Sequence, residues 1–261
     1  MLGGMPASPV TSFGAAPVLV HAEVAAMASA AAEQAAEVLR AAVQARGVAH
    51  AMFATGNSQL AFVEELVTRT PDVPWRDIVV FHMDEYVGIG ADHPAGFQRW
   101  IRERIVAPTT PRAAYYVEGL GDPAAAASRY AELLVDHPLD LCCLGIGENG
   151  HLAFNDPPVA DFNDPLDVKV VELEAACRQQ QVNEGHFPDA ASVPAHAITV
   201  TIPALLRAAQ VLAIVPEARK AEPVHAALTG PVSTRCPASV LRTMPHVTIH
   251  LEQESARLLP R

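Results

Sequence analysis

Short apolar runs alternate along the chain with longer segments whose apolar residues recur at helical spacing. Residues 18–21, 50–54, 78–82, 139–145, 198–202, 211–215 and 247–251 read as buried strands bounded by polar, Gly or Pro positions. Residues 23–46 are alanine-rich, carry Glu33, Glu37 and Arg40 on one face, and stop at Gly47, which predicts a helix. Residues 60–69 predict a second, with Leu60, Phe62, Val63, Leu66 and Val67 as its apolar set. Helices are also expected over 96–106, 123–136, 203–208 and 218–228, with Asp122 as N-cap and Pro123 at the first helical position.

This alternation predicts an α/β fold: a Rossmann-like, doubly wound, mostly parallel sheet with helices on both faces. One domain is expected over residues 17–261, preceded by a flexible tail over 1–16 that is rich in Gly, Pro, Ser and Ala. Residues 156–189 break the alternation with a polar, Pro- and Asp-containing stretch, read as a long excursion or lid. In a sheet of this kind ligands bind at the carboxyl ends of the strands, so the loops there carry the functional question.

Composition narrows the function classes. The 261 residues are 50% apolar and 18% charged, enough to bury a real core, and the 5% aromatic share makes that core mainly aliphatic. A formal net charge of −11 with no basic run argues against nucleic-acid binding. A small anionic ligand remains compatible, because one pocket can be positive on an acidic protein. Cys142, Cys143, Cys177 and Cys236 form no Cys-x-x-Cys pair and read as buried thiols in a reducing compartment. No signal peptide and no bilayer-length apolar segment is read, so a cytoplasmic protein is expected.

Three strand-end loops carry chemistry. Thr55-Gly56-Asn57-Ser58-Gln59 opens a helix, where glycine permits close approach and the free N–H groups favour an anion. It reads as a phosphate cradle or as a plain turn capped by Asn57 or Ser58, and it matches neither common nucleotide-binding glycine pattern. Met83-Asp84-Glu85-Tyr86-Val87-Gly88 follows an apolar strand. The two carboxylates alternate, so one can work in a pocket while the other braces the loop; a solvated acidic loop is the competing reading. Gly145-Ile146-Gly147-Glu148-Asn149-Gly150-His151-Leu152-Ala153-Phe154-Asn155-Asp156-Pro157 follows the strongest strand. His151 can titrate near neutral pH, and Asn149 and Asp156 can orient it, which is the arrangement of an activated histidine. A capping histidine in a tight turn is the alternative. Trp75 and Trp100 are assigned to packing, and His186, in the polar excursion, is the other histidine that could face the pocket.

Together the loops resemble the glucosamine-6-phosphate deaminase/isomerase family. The resemblance lies in Phe81 to Gly88, in Gly147 to Pro157, and in Ala197-Ile198-Thr199-Val200 and Ala218-Arg219-Lys220-Ala221, in order and spacing. It implies conversion of an aldose amine phosphate to a ketose phosphate with loss of ammonia, with no metal and no cofactor. It implies Asp84 as the base, Glu85 beside it, His151 as the ring-opening group and Asn149 and Asp156 as its partners. It also implies a phosphate site from Thr55, Gly56, Asn57, Ser58, Gln59, Gly147, Gly150 and Lys220. The partner is then a small phosphorylated sugar; the oligomeric state is open, a homo-oligomer included.

The chain departs from the family pattern. Asn149 stands where Asp is usual and brings no charge to the histidine; Asp156 stands where Glu is usual. Asn57 and Gln59 replace Gly and Pro. The usual phosphate arginine has no match in Val182-Asn183-Glu184-Gly185-His186, and Arg178 is the nearest substitute. The acidic stretch after Pro157 implies no amino-sugar-phosphate allosteric site. Two other functions share the scaffold. A 6-phosphogluconolactonase has a similar glycine-histidine core but a different following run. A non-catalytic sugar-phosphate sensor is the other alternative, although the short N-terminal tail leaves no room for a helix-turn-helix.

Overall fold

A computed structural model describes residues 8–9, 13–70 and 72–260. The strands are β1 Ser8–Pro9, β2 Val18–His21, β3 Ala49–Phe53, β4 Ile78–His82, β5 Asp84–Tyr86, β6 Ala113–Tyr115, β7 Leu141–Leu144, β8 Val168–Glu172, β9 His196–Val200, β10 Gln210–Val215 and β11 Val247–Glu252. The helices are α1 Val24–Arg46, α2 Leu60–Glu64, α3 Phe97–Ile101, α4 Ala107–Thr109, α5 Pro123–Asp136, α6 Ala175–Asn183, α7 Ile202–Leu206 and α8 Ala221–Thr229. The helices expected over 60–69 and 96–106 continue past α2 and α3 as π-helical turns, Glu65–Arg69 and Arg102–Val106. Asp122 caps α5 by accepting from the N–H groups of Ala124 and Ala125.

The main sheet runs β1-β2-β11-β10-β7-β3-β4-β6. All pairings are parallel except β1 with β2. Most of the tail expected over 1–16 lies outside the described residues, but Ser8–Pro9 adds an antiparallel edge to β2. Alternation along the strands divides the core into two faces. Met52, Phe81, Cys142 and Leu144 pack on the side of α5 and α8. Ala51, Phe53, Ile78, Val80, Leu141 and Cys143 pack on the side of α1 and α2, with Trp75 and Trp100 at that margin. Cys142 and Cys143 are free buried thiols, and burial pushes Cys142 up to about 12.

One element leaves the expected alternation. The strand predicted at 198–202 forms as β9, but it belongs to a separate antiparallel sheet of order β5-β9-β8. An apolar run identifies a buried strand without saying which sheet it joins. The polar excursion supplies β8 and α6 to the same subassembly. Its core is aromatic where the rest is aliphatic: the ring of Tyr86 lies 5.0 Å from Phe97, 5.3 Å from Phe154 and 5.4 Å from Phe187. This small sheet continues from the carboxyl end of β4, which β5 follows after one residue, and meets the loop after β7, whose Phe154 N–H donates to Thr199 Oγ1 at 3.1 Å. Because β7 lies on one side of β3 and β4 on the other, the chain reverses direction across the sheet there, which is where an open α/β sheet leaves a crevice. No helix among the described residues is long and apolar enough to cross a membrane.

Candidate active site

The loops after β3, β4, β7 and β10, with α6 and the turn after it, enclose a cleft of about 620 Å³, open solvent included. Thr55, Gly56, Ser58, Asp84, Gly147, His151 and Lys220 line it together. Met83, Phe97, Ile146 and Phe154 supply its apolar surface.

Asp84 and Glu85 diverge as alternation requires. Asp84 faces the cleft and is 6% exposed; burial, and then the charge of Glu85, push its carboxyl well above the usual range. Glu85 faces the other way. It accepts from the backbone N–H groups of Tyr86 at 2.9 Å, Phe97 at 3.2 Å and Gln98 at 2.8 Å, tying the loop to the start of α3. Burial raises Glu85 to about 7 against the lowering effect of those bonds. The residue proposed beside the base is therefore a brace that does not line the cleft. His82 braces the strand below it: its Nε2 accepts from Val117 N–H at 2.8 Å, and burial lowers it to about 3, so the ring is neutral.

The β7 loop folds its histidine back over its own glycine. A Cβ on Gly147 would sit 2.1 Å from His151 Nε2, so only glycine leaves room for the ring. Gly150 does not line the cleft; it takes φ +83 and packs its Cα side against Cys236. His151 Nδ1 lies 2.9 Å from Asp156 Oδ1. Asn149 Oδ1 accepts the His151 N–H at 3.1 Å, while its Nδ2 donates to Asp156 Oδ1 at 2.9 Å and Glu174 Oε2 at 2.8 Å. Burial pushes Asp156 up, but His151, Asn149 and the Cys177 thiol outweigh it and hold the carboxyl below its ordinary value. Asn149 and Asp156 thus stand behind His151 and orient it. The donor atoms of His151, Asp156 and Cys177 lie within 4.8 Å of one another, a set that could hold a metal ion. It could do so only with Cys177 as thiolate, a form that burial and the charge of Asp156 oppose.

The phosphate-cradle loop is anchored from below. Gly56 takes φ +98, and Gln59, 1% exposed, donates to the Ile214 carbonyl at 3.1 Å. Neither Asn57 nor Ser58 caps the following helix through its side chain; Asn57 instead donates to the Glu184 carbonyl at 3.4 Å. Asn57 and Gln59 thus shape the loop without lining the cleft. Lys220 reaches the cleft from the turn after β10, which starts at Glu217 with a left-handed φ of +81, a strained conformation for a non-glycine residue. Burial, and then Arg219, lower the Lys220 ammonium.

Arg178 is not at the cleft. Its guanidinium donates to the carbonyls of Ala190 and Val193 and braces the loop after α6. Sequence reasoning missed Gln180, Gln181 and Glu184, which line the cleft beside His186. They are polar residues in a polar segment, and only the helical spacing of 180, 181 and 184 hinted at a shared face.

The sequence model of a family described as "Glucosamine-6-phosphate isomerases/6-phosphogluconolactonase" matches residues 22–249. A glucosamine-6-phosphate deaminase of Listeria monocytogenes serotype 4a (strain HCC23) is 33% identical over 207 residues, 79% of this chain and 86% of its own. One of Exiguobacterium sibiricum is 33% identical over 207 residues, 79% of each chain. The solved structure of a monomeric glucosamine-6-phosphate deaminase superposes with a TM-score of 0.83 at 27% identity, covering 92% of this chain and 99% of that one. A 6-phosphogluconolactonase from Shewanella baltica OS155 shares the fold, with a TM-score of 0.74 at 19% identity, covering 90% of this chain and 96% of that one.

Proposed function

The chain belongs to the glucosamine-6-phosphate isomerase/6-phosphogluconolactonase family, and we propose that it is a cytoplasmic amino-sugar-phosphate deaminase/isomerase. In this reading it converts glucosamine 6-phosphate and water to fructose 6-phosphate and ammonia. The observation that carries it is one cleft lined at once by a buried carboxyl, a carboxylate-backed histidine and a buried lysine beside a glycine-hydroxyl loop.

Each group has a step suited to it. Lys220, with the hydroxyls and N–H groups of Thr55, Gly56 and Ser58, holds the phosphate and so positions the reacting carbons. His151, oriented by Asp156, moves the proton that opens the sugar ring. Opening exposes the aldehyde at carbon 1 and acidifies the hydrogen on carbon 2. Asp84 takes that proton and returns it to carbon 1 while a proton of the carbon-2 ammonium passes to the carbon-1 oxygen. Water attacks the iminium left at carbon 2, and ammonia departs to give the ketone. A carboxylate in a nearly dry pocket suits this transfer, and acid–base groups of this kind are worth about 10²- to 10⁴-fold each. Burial, and then the charge of Glu85, favour protonated Asp84. The ammonium on carbon 2 of the bound sugar supplies the opposite charge that restores the base.

Every group of the proposed site comes from one chain, so the reading holds for a single copy or a homo-oligomer. The test is ammonia release from glucosamine 6-phosphate, with galactosamine 6-phosphate alongside and a chelator present. Release above a His151→Ala control is expected. No ammonia from either sugar, with tight binding by calorimetry, would replace this reading with a non-catalytic sugar-phosphate sensor.

A further inference from the structure

The phosphate end of the cleft carries more negative than positive charge. Two cations, Lys220 and Arg219, meet three carboxylates. Arg219 Nε lies 2.5 Å from Glu217 Oε2, and its Nη1 lies 2.7 Å from Glu184 Oε1 and 3.2 Å from Glu148 Oε1. Lys220, 3% exposed, lines the cleft, where burial and Arg219 work against its charge and Glu184, Glu148 and Glu217 favour it.

Glu184 is the carboxylate that matters, because it lines the cleft. Its backbone carbonyl accepts from Asn57 in the cradle loop, which fixes it beside the phosphate position. Gln180 Nε2 donates to its Oε1 at 2.8 Å, and His186 Nε2 lies 3.4 Å from its Oε2. Burial acts to raise its pKa, but His186, Arg219 and Gln180 lower it to about 2, so the group is an anion at neutral pH. A phosphate entering here meets a like charge where a second cation would serve it, and that arginine stands directly behind. Carboxylate and phosphate oxygens fit the same guanidinium donors.

We propose that Glu184 is a specificity-determining residue that pairs with Arg219 where the substrate phosphate would, and that the arriving phosphate displaces it and takes Arg219 as its second cationic contact. This rests on the phosphorylated-sugar reading above. The affinity for the phosphate end is then a difference between two anions competing for one guanidinium, and the Glu184 side chain sets it.

The test is calorimetric titration of the purified protein with inorganic phosphate, in wild type, Glu184→Gln, Arg219→Gln and the double variant. Glu184→Gln is expected to bind phosphate about tenfold more tightly, and Arg219→Gln about tenfold more weakly, the scale of one charged contact. In the double variant the gain from Glu184→Gln is expected to vanish, because there is no guanidinium to release. The KM for glucosamine 6-phosphate is expected to move in the same order. Glu184→Asp, which withdraws the carboxylate but keeps the charge, is expected to fall between wild type and Glu184→Gln, and it serves if Glu184→Gln does not fold. Folded variants at Glu184 that bind phosphate no more tightly than wild type would overturn the proposal, as would a gain that persists without Arg219. Absence of phosphate binding in all forms, with no ammonia released from glucosamine 6-phosphate, would overturn the reading beneath it as well.

Discussion

The Asp156 oxygen that lies 2.9 Å from His151 Nδ1 is the same one that accepts from Asn149 Nδ2, also at 2.9 Å. That amide donates in addition to Glu174 at 2.8 Å, so Asn149 sits between two carboxylates as a donor to both. Aspartate could not take this place, because it has no N–H to offer and would add a third negative charge. The departure from the family pattern at 149 is therefore matched by Asp156 and Glu174, and the charge behind His151 comes from Asp156. Asn149→Asp is expected to lower stability by about 1–3 kcal/mol and to reduce kcat. Thermal unfolding and steady-state rates check this; a variant as stable and active as wild type would mean the acids do not share that amide.

Asp84→Asn is expected to abolish turnover, a loss of about 10²-fold or more, while leaving the fold intact. The carboxyl faces the cleft and forms no hydrogen bond to a described residue, and burial, and then the charge of Glu85, disfavour its charge. Matching far- and near-ultraviolet circular dichroism together with lost ammonia release is the expected pair of results. Retained turnover would remove Asp84 as the base.

Glu85 gives stability a pH dependence whose sign is fixed. Its folded pKa, about 7, lies above the ordinary 4.5, so the native state binds more protons than the unfolded chain between those values. The contribution is complete below about 4.5 and is lost as pH rises through 7, with the raised Asp84 acting in the same direction. Denaturant midpoints across pH 4.5 to 8 are expected to show a downward component that Glu85→Gln removes. An unchanged slope in that variant would assign the component elsewhere.

The strand-end loops were legible in the sequence because each combines an apolar run with a residue that has no packing reason to be there. Asp84 after Ile78–His82 and the glycines around His151 after Leu141–Leu144 are such cases. The wall opposite was not legible. In β8, Val168–Glu172, only Val168 and Val171 are buried, and in α6 Gln180 and Gln181 are buried with Cys177, so neither element shows a clear apolar period. Glu184 is an anion where a phosphate site calls for a cation, so its residue type points away from the site. Arg178 was the nearest cation along the chain, but α6 turns it toward the carbonyls of Ala190 and Val193.

Gly147→Ala separates positioning from folding. The new methyl would fall 2.1 Å from His151 Nε2, and the ring, at the end of a movable side chain, must swing away. Activity is expected to fall by about 10²-fold, because a displacement of about 1 Å is enough for that, with little change in melting temperature. A cooperative loss of both would show that the loop itself, not the ring, absorbs the clash.

The last comparison sets Lys220 against Arg178. Lys220→Ala is expected to raise the KM for the sugar phosphate with a smaller change in kcat, since its ammonium faces the cleft and the phosphate is far from the reacting carbons. It is not expected to destabilise the protein strongly, because burial and the neighbouring Arg219 already work against the charged form. Arg178→Ala is expected to do the opposite. Its donors satisfy two loop carbonyls, so its loss should lower stability by about 1–3 kcal/mol and leave the phosphate contacts in place. Steady-state kinetics and unfolding midpoints on the two variants decide the matter. An Arg178→Ala enzyme with a strongly raised KM and unaltered stability would return that arginine to the phosphate site and require α6 to rotate when substrate binds.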